Sequence, residues 1–80
     1  MNKLNGNEED SFVIEAASTC FIIQQFLVDE NLVFVTTVRE QEIHFRADQE
    51  SGDLKPNFYP INVERDIIDE IGLAIEKHFL

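Results

Sequence analysis

Eighty residues set the scale of one domain, and 16 Asp and Glu against six Lys and Arg give a formal charge of −10. That balance excludes binding carried by phosphate contacts, because nucleic-acid affinity comes largely from cations that release counterions, and an anionic membrane repels it too. One cysteine excludes an internal disulfide and with it a stapled, secreted scaffold.

Apolar residues make up 44% of the chain, seven of them Phe, which suffices for one core. A chain of this size buries only about 60–65% of the surface its unfolded form exposes, so a partner or a second copy would add useful stability. Residues 1–10, "MNKLNGNEED", are polar and acidic and read as a flexible tail. Residues 11–80 form the single domain.

From Ser11 the pattern reads as helical. Asp10 or Ser11 can cap, and Val13, Ala16, Ala17, Cys20, Ile23 and Leu27 recur at 3–4 spacing. Phe12, Phe21, Ile22 and Phe26 widen the stripe, so this helix is sandwiched or offers a face to a partner. A hairpin of "CFII" and "FLVD" is the alternative, but its turn would fall on Gln24-Gln25, residues poorly suited to a tight turn. Cys20 reads as a small buried apolar residue. The stretch is interrupted by Glu15, Ser18, Thr19, Gln24 and Gln25, and follows acidic rather than basic residues. It suits neither a membrane span nor a signal peptide, and a cytoplasmic location is expected.

"LVFVTTVR" (32–39) and "EIHFRAD" (42–48) read as two strands of a hairpin. A turn centred on Glu40-Gln41 pairs Val38 with Ile43, Thr36 with Phe45 and Phe34 with Ala47 on an apolar face. Arg39, Thr37 and Val35 then meet Glu42, His44 and Arg46 on the other. "QESGDLKPN" (49–57) is turn chemistry, and "FYPI" (58–61) reads as a short third strand, held to an edge by Pro60. Asn62 can cap a last helix, "VERDIIDEIGLAIEKHFL", with Ile67, Ile68, Ile71, Ala74, Ile75 and Phe79 on its apolar side. Gly72 within it suggests a close backbone approach, near Ala16-Ala17 of the first helix.

The expected fold is therefore α+β: a two-layer α-β-β-β-α arrangement, with a three-stranded antiparallel meander and both helices on one face. This order resembles, in topology, the double-stranded RNA-binding domain. That family sets basic residues at the start of its last helix. Here the place holds "NVERDIIDEI", so the resemblance extends to fold and implies no RNA binding. Type III secretion chaperones, small, acidic and often dimeric, offer a second fold-level analogy.

Two surfaces stand out. Glu64, Asp66, Asp69 and Glu70 crowd the start of the last helix. The helix dipole favours them there, yet Asp66 with Asp69 and Asp66 with Glu70 are like-charge pairs that cost stability, which suits docking on a basic surface. Val33, Val35, His44 and Arg46, joined by Tyr59, share the sheet face opposite the core. That mixture fits a solvated face with cross-strand ion pairs, or an interface. Two distant histidines and one cysteine make no metal-ligand spacing, and no hydroxyl is paired with a base. No catalytic residue, metal or cofactor is expected. The expected function is a non-enzymatic acidic protein-binding module of adaptor or inhibitor type that docks on a basic surface of a partner protein. The alternative is a subunit that forms a homodimer through the open sheet face or the first helix.

Overall fold

The computed structural model describes residues 11–79 and shows a small α+β fold, with a five-stranded antiparallel sheet and one C-terminal helix. The strands are β1 (Ser11–Ala16), β2 (Thr19–Val28), β3 (Asn31–Val38), β4 (Gln41–Ala47) and β5 (Leu54–Pro56), and the helix is α1 (Arg65–His78). The strands lie in sequence order as a meander. Residues 1–10, read above as a tail, lie outside the described residues.

The expected first helix is absent; its residues form the β1–β2 hairpin, turning at Ala17-Ser18. Ser11 opens a strand rather than capping a helix, and the resemblances built on α-β-β-β-α order lose their basis. Three successive hairpins close through two-residue turns, Ala17-Ser18, Asp29-Glu30 and Arg39-Glu40, and all six residues have positive φ. Positive φ at both central positions is the twist that type I′ turns match to paired strands.

The β3–β4 turn falls one residue earlier than expected, so the pairing differs by two. Thr36 meets Ile43, Phe34 meets Phe45 and Val35 meets His44. A shift of two leaves each side chain on its face, and Phe34, Val38, Ile43 and Phe45 are all buried, as the alternation predicts. The last strand is Leu54–Pro56 rather than 58–61. It is an edge strand, as expected, with Pro56 rather than Pro60 within it.

Helix α1 covers one face of the sheet. Ile68, Ile71 and Ile75 are fully buried against Ile14, Ile23, Phe34, Ile43 and Phe45. Burying each such side chain contributes about 1.5–3 kcal/mol. The cap at Glu64 uses no side-chain hydrogen bond. Asn62 instead lies before the helix and ties it to the β3–β4 turn: its Oδ1 accepts from Gln41 Nε2 at 2.7 Å and its carbonyl from Arg39 Nη1 at 3.3 Å. Gly72 does meet a close neighbour, but in β4 and β5. A Cβ there would lie 3.4 Å from the Phe45 ring and 3.6 Å from the Leu54 carbonyl oxygen. Among the described residues no helix is long and apolar enough to cross a membrane.

Candidate protein-binding surfaces

With one helix on one face, the other face of the sheet is uncovered by any described element. Strand alternation places Val13 of β1, Ile22, Phe26 and Val28 of β2, and Val33 and Val35 of β3 on it. Val13 and Ile22 face one another across the β1–β2 ladder and are 59% and 66% exposed. Val33 and Val35 are buried, at 3% and 6% exposure, on a face that no helix covers. Their cover comes from Gln24, Phe26, His44 and Arg46, which line the same shallow depression. Long side chains lying over apolar neighbours keep their polar heads in water.

Polar groups flank this apolar stripe. His44 Nε2 lies 3.2 Å from Glu42 Oε1, two positions along β4. Arg46 pairs with Lys55 of β5 and puts two cations side by side at that end. At the opposite end Glu15 pairs with Cys20, which is exposed rather than buried as its apolar neighbours suggested.

Four of the five expected interface residues, Val33, Val35, His44 and Arg46, are thus brought together. Tyr59 is not among them. The strand ends at Pro56, and Tyr59 turns to the helix side, where its hydroxyl donates to Asp69 Oδ1 at 2.7 Å and the Arg65 guanidinium lies 4.0 Å over its ring. Donating that hydrogen bond to Asp69 raises the phenol's pKa above its ordinary value, with partial burial adding to the effect. Val13, Ile22, Phe26 and Val28 were missed as face residues because their segment reads as helical.

The carboxylates of the helix start, Glu64, Asp66, Asp69 and Glu70, are all exposed. Asp69 is engaged by Tyr59, whereas Glu64, Asp66 and Glu70 make no side-chain hydrogen bond or ion pair among the described residues. They lie on the helix layer, and the apolar stripe lies on the far side of the sheet. A single flat partner cannot touch both. Among the described residues no three His, Cys, Asp or Glu side chains are grouped to hold a metal ion.

Comparison of the chain with protein-family models, with curated proteins and with solved structures found no match.

Proposed function

We propose that the chain is a non-enzymatic protein-binding module, of adaptor or inhibitor type, that docks through the uncovered sheet face. The observation that carries this reading is the apolar stripe of β1 to β3, with Val13 and Ile22 open to solvent. Exposed apolar patches rimmed by polar groups are typical of interaction sites. What the face offers is apolar area and charge, which serve recognition rather than bond making. The partner presents apolar side chains with a basic rim, drawn in by the net charge of −10. A carboxylate on it, set against Arg46 and Lys55, would fix its orientation.

The helix start supports a second reading, because Glu64, Asp66 and Glu70 are exposed carboxylates without partners of their own. Affinity capture from the native host at low salt separates the two. On the first reading, Ile22→Asn loses the captured protein and the pair Asp66→Asn with Glu70→Gln keeps it. The reverse pattern transfers the function to the helix. Capture that neither change affects sinks both readings.

A further inference from the structure

The two edges of the sheet are built differently. At β5 the ladder to β4 runs through Asp53 and Asn57, with Asp48 N–H donating to Asp53 O at 2.7 Å and Asn57 N–H to His44 O at 2.8 Å. Alternation then turns the main-chain groups of Leu54 and Pro56 outward. Leu54 N–H is taken by Glu76 Oε2 at 2.8 Å, and Pro56 has no N–H to offer. This edge has no free amide for another strand, in keeping with the ways natural sheets close their edges.

At β1 the same reasoning gives the opposite result. Ala16 and Thr19 flank a two-residue turn, which makes them a hydrogen-bonded pair, so Ala16, Ile14 and Phe12 direct their main-chain groups at β2. Val13 and Glu15 direct theirs away from the sheet. Among the described residues no hydrogen bond reaches the outward amides of these two. The strand runs unbroken from Ser11 to Ala16, with no proline, no bulge and no cation to deter pairing.

We infer that β1 is a homotypic pairing edge, where a second copy adds its own β1 antiparallel about a two-fold axis at Val13 and joins the two sheets into one. Three features favour a second copy as the occupant. Centring the pair on Val13 sets Glu15 opposite Ser11 of the other copy, so the one charge of the strand avoids its own image. The same register sets Phe12 beside Ile14, and brings Val13 and Ile22 of each copy into one apolar band across the axis. Finally, the helix carboxylates with hydrogen-bond partners, Asp69 and Glu76, lie on the β5 side, whereas α1 reaches β1 through His78, which stacks on Phe12 at 4.1 Å. The end of α1 that reaches β1 thus brings an aromatic stack to this edge, and those two carboxylates lie away from it. Edge pairing leaves the uncovered faces free and makes them one continuous surface. It stands whether or not that surface binds the partner proposed above.

Sedimentation of the full chain over a wide concentration range tests this. The wild type shifts from monomer to dimer as concentration rises. Val13→Lys, at an exposed position that leaves the β1–β2 ladder intact, weakens the dimer at least about tenfold by setting two cations face to face. Circular dichroism checks that this variant folds. A second measurement reads the register. In a Cys20→Ser background, Val13→Cys oxidises to a covalent dimer, because directly opposed residues of a hydrogen-bonded pair sit about 5.5 Å apart at Cα, within disulfide reach. Ile22→Cys, equally exposed but one strand inward, does not. A wild type that stays monomeric, a dimer indifferent to Val13→Lys, or equal cross-linking at both positions overturns the inference.

Discussion

Asp48 organises the loop between β4 and β5 through one carboxylate oxygen. Its Oδ2 accepts from Ser51 N at 3.0 Å, Glu50 N at 3.1 Å and Ser51 Oγ at 3.2 Å. The Ser51 amide bond is the main reason that its pKa lies below the ordinary 3.8, with the Glu50 amide, the Ser51 hydroxyl and the Lys55 charge acting in the same direction against partial desolvation. A carboxylate lowered in this way contributes stability that is present above 3.8 and is lost as pH falls through the lower folded value. Asp48→Ala is therefore expected to lower the urea midpoint at pH 7, and the gap to wild type should narrow below pH 3.8. A gap that stays constant down to pH 2 would assign the loss to loop packing instead of charge. Sequence shows such turn chemistry readily, because "DQESG" places an acceptor just ahead of free amides. It does not show where a residue beyond a strand end will point. Tyr59 is the case in hand: one turn of chain after Pro56 carries it from the expected sheet face to Asp69 and Arg65.

Among the elements, α1 and the β3–β4 hairpin are legible in sequence, while β1 and β2 are not. The helix shows a clean stripe of Ile68, Ile71 and Ile75, and the hairpin alternates. In β1 and β2 both faces carry apolar residues: Phe12, Ile14, Phe21 and Ile23 beneath the helix, Val13, Ile22 and Phe26 on the other side. With both faces apolar, the period of two is erased and a helical spacing fits as well. The turns gave no warning either, since none of Ala17-Ser18, Asp29-Glu30 or Arg39-Glu40 contains the Gly or Asn that marks a type I′ turn. A left-handed conformation costs an L-residue roughly 1–2 kcal/mol. Replacing Ala17-Ser18 by Asn-Gly should relieve part of that strain and stabilise the fold by about 1 kcal/mol. A thermal or urea melt reads the change. A destabilised variant would mean that Ala17 and Ser18 hold their turn by contacts that outweigh the strain.

For the whole molecule, the net charge of −10 acts in opposite directions on the two associations proposed here. Two copies of one acidic chain repel, and only the apolar band and the strand ladder at β1 oppose that repulsion. A basic partner is attracted from a distance. Salt shortens the reach of both fields, to about 10 Å at 0.1 M. Raising NaCl should therefore tighten the homodimer and weaken the partner complex, whichever face the partner uses, because steering belongs to the summed charge and not to one residue. Sedimentation for the dimer and titration for the partner, followed over the same salt series, measure the two slopes independently. Partner affinity that is flat with salt would leave apolar contact alone to hold it and remove the basic rim from its description. A homodimer that weakens with salt would need an ion pair across its interface, which two β1 strands with Glu15 as their one charged residue do not supply, and the contact would then lie elsewhere than at this edge.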